Sequence, residues 1–432
     1  MTIQTSLQGI AKKASEHPKH RFQDLMRLLS VESLIWCCAF LKKKAAAGVD
    51  KIDYYIFMEN CHENIVKIVE SLKTGSYKAK LVRRKWIPKG KDKLRPLGIP
   101  AIADKLLQML VSKILQAIYE QDFLPCSFGY RPKLGPLDAV KEISRKLQFG
   151  QFSYVVEADI KGFFDNINHD WMITMLEERV DDRRFLRLIR KWLSAGILEE
   201  DGETTHPVTG TPQGGIVSPV LANIYLHYAL DLWFEKCVKR QCRGEAMMIR
   251  YCDDFVCAFQ FKEDAEMFYA SLGDRLKKFN LEVAPEKTNI IPFGRHQEDS
   301  SLFFDFLSFE FRWGVSLKGK KIVTRRTSRK KLRNSVANFT DWIKKNRCVK
   351  LKLLMKKLNS KYRGYWNYYG VIGNYSSLAI FYKQTKDLLF KWLNRRSQRI
   401  SYNRKTFAQM LDSMNIAKPR ITEKNVTFCG AN

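Results

Sequence analysis

The chain has 432 residues, 45% hydrophobic and 12% aromatic, enough apolar material to exclude wholesale disorder. Its 75 Lys and Arg against 45 Asp and Glu leave a net charge of +30. Such an excess points to a polyanionic partner, because basic side chains release the counterions condensed on phosphates. Ten scattered cysteines with no Cys-x2-Cys pair argue against a disulfide framework or a zinc finger and for reduced thiols in a cytoplasmic protein. The N-terminal stretch lacks the apolar centre of a signal peptide. The longest apolar run, Leu34 to Leu41, is far short of a membrane span, so no membrane association is expected.

Residues 1–45 read as helical and end in the basic run Lys42-Lys43-Lys44. Ala47-Gly48-Val49-Asp50 reads as a turn, and a helix is expected near 61–73. The segment 81–100 reads as strand, polar turn, strand, with its prolines outside the turn. From Ala103 to Tyr119 apolar residues return at helical spacing through Leu106, Leu107, Leu110, Ile114 and Ile118. A buried strand is expected over 152–160 and a helix from about His169. Residues 216–236 carry helical spacing, 246–260 read as strand, acidic turn, strand, and 302–312 as a strand pair. After about 327 the pattern is helical, with a stripe through Leu378, Phe381, Leu388, Leu389 and Trp392. The chain is therefore α/β (α+β) first and a basic all-α module after. Between Trp313 and Arg420 stand 28 Lys and Arg against three acids, so this module carries most of the net charge.

Two acidic positions each end an apolar strand. Asp159 follows Tyr154-Val155-Val156-Glu157-Ala158, and Asp253-Asp254 lies in the turn between two apolar arms. Carboxylates grouped in this way repel one another unless they face solvent or share a cation. Hard oxygen ligands suit Mg²⁺, with Mn²⁺ as a substitute. Such a cluster serves two-metal phosphoryl transfer, in which one ion activates the attacking 3′-hydroxyl and the other stabilises the leaving pyrophosphate. Taken alone, Asp253-Asp254 is better read as an ordinary polar hairpin turn.

The wider pattern changes that balance. Asp159-Ile160-Lys161-Gly162-Phe163-Phe164-Asp165 comes first. Thr211-Pro212-Gln213-Gly214-Gly215 follows, with Ser218-Pro219 and Leu221-Ala222-Asn223, and then Tyr251-Cys252-Asp253-Asp254. This order resembles the palm motifs of group II intron-encoded reverse transcriptases. The resemblance implies a right-hand polymerase with fingers and an RRM-like palm. It implies Asp159 and Asp253 as the main metal ligands, Asp254 completing the cluster, and the backbone carbonyl of Ile160 as a further ligand. It makes Phe164 the steric gate that excludes a 2′-hydroxyl, and Gln213 a contact for the nascent base pair or the incoming sugar.

Ile87-Pro88-Lys89, then Arg95 and Leu97-Gly98-Ile99-Pro100, resembles the fingers hairpin. There Lys89 acts as a point charge and Arg95 as a fork on the triphosphate. Lys287 matches the lysine after the catalytic hairpin and would protonate the leaving pyrophosphate. Ser127-Phe128-Gly129-Tyr130-Arg131-Pro132 matches a further fingers motif, and Phe306-Leu307-Ser308-Phe309 resembles the primer-grip hairpin. The family usually has Gly where Ser308 stands and Ala where Cys252 stands. Without the family, Phe164 reads as a core aromatic, Gln213 as part of a plain turn, and Lys89 and Arg95 as a solvated basic turn.

Residues 1–80 resemble the family's N-terminal extension, which helps to hold template and intron RNA. Residues 81–312 correspond to fingers and palm, 313–420 to an all-α thumb/maturase (X) domain, and 421–432 to a short tail. Within 358–369 tyrosine, tryptophan and arginine interleave with lysine, which suits stacking on unpaired bases together with phosphate neutralisation. Lys361, Arg363, Tyr365, Trp366, Tyr368, Arg395 and Arg396 are the expected RNA-binding residues, and part of this aromatic stripe, Trp366 included, also reads as core. Many members continue into a DNA-binding segment and an H-N-H endonuclease. The sequence here ends soon after Lys418-Pro419-Arg420, so no endonuclease activity is expected.

The expected function is RNA-directed DNA polymerisation with Mg²⁺, two ions per site. Intron RNA binding that assists splicing, and intron mobility by target-primed reverse transcription, would accompany it. The expected partners are intron RNA, an RNA template, a DNA primer or target and dNTPs, in a bacterial cytosol or nucleoid, as a monomer or a dimer. An intron-free relative acting in DNA repair or phage defence remains the alternative. A splicing factor with a retired polymerase is disfavoured by the intact aspartates, and a purely structural nucleic-acid-binding protein by the register of Lys89, Arg95 and Phe164.

Overall fold

Strand-forming runs recur along the chain as β1 (Val82–Pro88), β2 (Leu94–Ile99), β3 (Tyr154–Asp159), β4 (Ile197–Leu198), β5 (Thr204–Thr205), β6 (Ala246–Tyr251), β7 (Asp254–Phe259), β8 (Asn289–Pro292), β9 (Phe304–Phe306), β10 (Phe309–Val315) and β11 (Lys321–Thr327). The computed structural model describes residues 2–88, 94–211, 214–296, 301–316, 318–396, 398 and 400–424. The strands form three sheets, ordered β2-β1-β4-β5, β6-β7-β3-β8 and β11-β10-β9. The chain divides into two compact units, residues 1–135, 158–257 and 262–290 in one and 136–157, 258–261 and 291–432 in the other.

The first unit is built around the helix Ile102–Tyr119, whose apolar spacing the sequence announces. Twelve of its residues are buried, so it is a core helix rather than an amphipathic surface one. Leu106, Leu107, Leu110, Val111, Ile114, Leu115 and Ile118 have no exposed surface. Each such aliphatic side chain contributes about 1.5–3 kcal/mol on burial. The N-terminal helices Ile3–Glu16 and Val31–Cys38 and the later helix Ser218–Leu226 pack against it. The turn at Gly48 lies so close to the chain at Ala101 that a β-carbon on Gly48 would sit 2.6 Å from the Ala101 Cα. Arg83 and Lys105 hold that turn through the carbonyls of Ala47 and Ala46, each at 2.7 Å.

Two elements of this unit differ from the pattern expected. The single helix over 216–236 is α-helical only over Ser218–Leu226, then widens into π turns at His227–Asp231 and Phe234–Val238. A π turn rotates the residues after it relative to a regular helix. Here it carries Asp231, a fully buried acid paired with Arg250. The short strands β4 and β5, of two residues each, carry too little pattern to be read.

The second unit holds the β11-β10-β9 sheet and the helices Pro136–Phe149, Arg329–Asn346, Leu351–Tyr369, Tyr375–Leu393 and Arg404–Ser413. The all-helical expectation from residue 313 needs correction. β10 continues to Val315 and β11 pairs with it residue by residue, from Thr327 opposite Phe309 to Lys321 opposite Val315. Its three basic side chains obscure the period of two in the sequence. Helix begins at Arg329, capped by the Ser328 hydroxyl. The helical core is aromatic, with Tyr362 stacked on Trp366 at 5.5 Å and Phe381 edge-on to both. Arg325 and Glu423 form a two-toothed pair at 2.9 and 2.8 Å that fastens the segment around Glu423 to β11.

Candidate active site

The carboxylates come first. β7 lies next to β3 in its sheet, and the Ser153 amide at the start of β3 donates to the Phe259 carbonyl at the end of β7, at 2.9 Å. A parallel pair in that register would slide past itself, so the two strands run antiparallel. The end of β3 at Asp159 and the start of β7, with Asp253 just before it and Asp254 as its first residue, therefore lie at the same edge of the sheet. All three are half-buried. The chain continues through Ile160, buried and bridged to Val283.

Among the described residues no three His, Cys, Asp or Glu side chains converge as a ready-made metal cage. A donor set of strand-end carboxylates suits an ion that keeps several waters and takes one or two carboxylates plus substrate phosphates, as Mg²⁺ does. These residues fit such an ion and do not fit a structural site built wholly from protein.

Asp253 and Asp254 follow Cys252, whose backbone sits in the left-handed region at φ 59°. Its thiol is buried, and burial followed by the neighbouring Asp253 charge pushes it up to about 12. At neutral pH it is an uncharged spacer. The turn packs against the Ser127–Pro132 segment, where a β-carbon on Gly129 would lie 2.3 Å from the Cys252 amide nitrogen. Arg131 of the same segment is turned inward, bonded to Glu120 at 2.7 Å and to the carbonyls of Leu124 and Ser127.

Phe164 follows on the short helix Phe163–Asn166. Phe163 is buried, and Phe164 is half-buried with its ring edge-on to Phe163 at 5.2 Å. One aromatic is therefore core and the other partly open to solvent. The glycine-rich loop is anchored on both sides. Thr211 donates to the Phe164 carbonyl at 2.8 Å, and Ile216 donates to Gln108 Oε1 at 2.9 Å. Between them Gly214 takes φ +121°, and a β-carbon there would lie 2.4 Å from the Gly98 carbonyl of β2. Only glycine meets both demands. Gln213 of this loop lies outside the described residues.

β1 and β2 form the hairpin expected over 81–100, with Ile87 opposite Arg95 and Pro88 opposite Leu94. Arg95 is exposed near its end. Lys89 lies outside the described residues. Lys287 ends the one-turn helix Pro285–Lys287; its side chain is outside the described set.

Three residues that sequence reasoning missed sit behind the acidic turn. Arg250, Asp231 and Asn223 are all buried. The available signal was a charged residue inside an otherwise apolar strand, immediately before Tyr251-Cys252.

In the second unit the turn joining β9 to β10 holds Leu307 at φ 50° and Ser308 at φ 70°. Two consecutive positive φ values make a two-residue hairpin turn of the kind that favours glycine at its second position. This accounts for the residue usual in the family where Ser308 stands. The Tyr368 hydroxyl donates to the Leu307 carbonyl at 3.0 Å. Lys361, Tyr365 and Tyr368 line a cavity of about 460 Å³ together with Ser308, Lys331 and Phe381. Tyr365 lies flat on Phe381 at 3.9 Å.

Trp366 needs correction as an RNA-stacking residue. It is fully buried and its indole donates to the Ala417 carbonyl at 3.3 Å, so no base reaches its face. Arg363 and Lys361 are exposed on the same helix. Arg395 is exposed over the Trp392 ring at 5.5 Å, whereas Arg396 is half-buried and bonded to the Val349 carbonyl at 3.3 Å. These two arginines do not line the cavity. No helix among the described residues is long and apolar enough to cross a membrane.

Residues 87–311, just over half of the chain, match the family model for reverse transcriptase (RNA-dependent DNA polymerase). The group II intron-encoded protein LtrA of Lactococcus lactis subsp. cremoris is 48% identical over 166 residues, covering 38% of this chain and 27% of LtrA. The putative COX1/OXI3 intron 1 protein of Saccharomyces cerevisiae is 34% identical over 179 residues, 41% of this chain and 21% of that protein. Protein YkfC of Escherichia coli is 30% identical over 288 residues, covering 59% of this chain and 75% of YkfC. The chain thus spans about a quarter of the length of the intron-encoded relatives it matches.

Proposed function

Because the chain belongs to the reverse transcriptase (RNA-dependent DNA polymerase) family, in its group II intron-encoded branch, we propose that it extends a DNA 3′-end with dNTPs on an RNA template. One observation carries this reading: β3 and β7 are neighbours in one sheet, and Asp159 at the end of β3 lies at the same edge as Asp253-Asp254 at the start of β7. Asp159, Asp253, Asp254 and the Ile160 carbonyl would hold two divalent ions. When bound, Mg²⁺, or Mn²⁺ in its place, supplies Lewis acidity for the attacking 3′-hydroxyl and charge neutralisation for the leaving pyrophosphate.

The protein's own groups do the rest. Phe164 presents a ring edge that leaves no room for a 2′-hydroxyl. Gly214 brings the loop backbone to the incoming nucleotide, where Gln213 contacts the nascent pair. Lys89, next in sequence after Pro88, and Arg95 of β2 would neutralise the triphosphate, and Lys287 delivers a proton to pyrophosphate. In this reading β1–β2 form the fingers tip and β6-β7-β3-β8 the palm, within residues 81–312. Residues 1–80 help hold template and intron RNA, and the helices after Ser328 form thumb and maturase. Lys361, Arg363, Tyr365, Tyr368 and Arg395 would meet intron RNA through stacking and phosphate contacts. Splicing chemistry would belong to the RNA, and mobility would proceed by target-primed reverse transcription.

Primer extension on a poly-rA/oligo-dT template with Mg²⁺ tests this. Wild-type extension that vanishes in Asp253→Ala, with RNA binding retained, is the expected outcome. A folded, RNA-binding wild type that extends no primer would overturn the polymerase and leave an RNA-binding cofactor.

A further inference from the structure

Arg250 in β6 has no exposed surface. A guanidinium carries five N–H donors, and here each has a partner. Nε donates to Asp231 Oδ1 at 2.7 Å, and one terminal nitrogen donates to Asp231 Oδ2 at 2.5 Å and Ser127 Oγ at 2.8 Å. The other donates to Asn223 Oδ1 at 3.2 Å and to the Cys252 carbonyl at 2.9 Å. The Arg250 backbone is also held, donating to the Cys126 carbonyl and accepting from the Phe128 amide, both at 2.8 Å. Asn223 in turn donates to the Gly129 carbonyl at 2.6 Å. Three separate motifs, around Ser127, Asn223 and Cys252, therefore meet at one side chain. Burial lowers this guanidinium's hold on its proton and Asp231 more than restores it, so the group stays charged.

Stability alone does not call for this arrangement. A buried ion pair carries a large desolvation cost, and well-packed apolar residues of similar volume are often as stable. What the apolar alternative cannot supply is a donor on the Cys252 carbonyl. That carbonyl belongs to the peptide plane joining Cys252 to Asp253, and Cys252 is held at a φ of 59°, which non-glycine residues resist.

We propose that Arg250, oriented by Asp231, is a positioning residue for nucleotide addition: it fixes the Cys252–Asp253 peptide plane and thereby aims the Asp253 and Asp254 carboxylates. This rests on the polymerase reading above. Arg250 touches neither substrate nor ion; it acts through the turn. Lysine cannot replace it, since one ammonium cannot reach Asp231, Ser127, Asn223 and Cys252 together.

The test compares wild type with Arg250→Lys and with the paired apolar change Arg250→Met/Asp231→Leu. Steady-state primer extension is read alongside amide hydrogen exchange of the peptide spanning 251–254 in the metal-free protein. The expected result for both is a folded protein with kcat down about 100-fold, the loss typical of an ångström-scale misplacement. The dNTP KM should stay within about twofold, as when an interaction acts on the transition state rather than on binding. Exchange protection at 251–254 should be lost. Asn223→Ala leaves the ion pair in place but frees one guanidinium N–H and Gly129; it carries the decision if the Arg250 variants do not fold. Wild-type kcat and wild-type exchange in any folded variant of this set would overturn the positioning role. A wild type that extends no primer would instead overturn the polymerase reading itself.

Discussion

A β-carbon on Gly129 would lie 2.3 Å from the amide nitrogen of Cys252 and 2.5 Å from its sulfur. The glycine is what lets the Ser127–Pro132 segment close on the acidic turn. In Gly129→Ala the turn must move, because its neighbour at the clash is backbone. The expected result is a destabilisation of about 1–3 kcal/mol from overpacking and primer extension slowed by about 100-fold. Thermal melting and single-nucleotide incorporation measure the two. Unchanged incorporation would mean that the turn tolerates displacement.

Phe164 and Phe163 are adjacent but unequal, the first half-buried and the second in the core. Phe164→Val trims the partly open ring. It should admit ribonucleotides, lowering the dNTP preference by about 10–100-fold, since discrimination by clash is lost when the clashing group shrinks. Phe163→Val should mainly destabilise. Incorporation of rNTP against dNTP checks this, and equal selectivity in wild type and Phe164→Val would refute the gate.

The helix Leu351–Tyr369 separates core from contact surface. Trp366→Ala should cost about 3–5 kcal/mol of stability through the cavity it leaves, with RNA affinity unchanged per folded molecule. Lys361→Ala and Arg363→Ala should leave the melting temperature nearly unchanged. Each should weaken RNA binding and reduce the slope of log Kd against log salt by about one phosphate contact. Salt-titrated binding distinguishes the two kinds of residue.

Two groups, His227 buried and Asp122 half-buried, give the fold opposing acid responses. Burial pulls His227 down to about 4 from 6.5. As pH falls below about 6.5 the unfolded chain takes a proton that the folded one refuses, so stability drops and levels off near pH 4. The loss is about 3 kcal/mol for a shift of this size. Asp122 runs the other way: burial pushes it up to about 6 from 3.8 even with Arg179 at 3.4 Å. Its protonation therefore favours the folded state as pH falls from about 6 to 3.8. His227→Phe keeps an aromatic beside Phe123 and Tyr228 and should be less acid-sensitive than wild type. The difference in unfolding free energy between the two should grow by about 3 kcal/mol from pH 7.5 to 4. A pH-independent difference would contradict this assignment.

Much of the local structure is written in the chain. The apolar spacing of 103–119 becomes the core helix Ile102–Tyr119, the expected helix near 61–73 is Cys61–Lys73, and the acidic turn between β6 and β7 falls at Cys252–Asp253. These succeed because helical period, strand runs and turn chemistry act over a few residues. The order of the carboxylate, glycine-loop and acidic-turn motifs is likewise sequence information. Only the tertiary structure decided that β3 and β7 are neighbours with Asp159 and Asp253 at one edge of their sheet, because strand pairing is set between segments some ninety positions apart. It also decided that Trp366 is core, that β11 is a strand, and that Arg250 is shared among Asp231, Ser127, Asn223 and Cys252. Periodicity names the face on which a side chain lies and says nothing of what meets it. For Arg250 and Ser127, 123 residues apart, the partner was fixed when the first unit closed and a buried charge had to find every one of its acceptors.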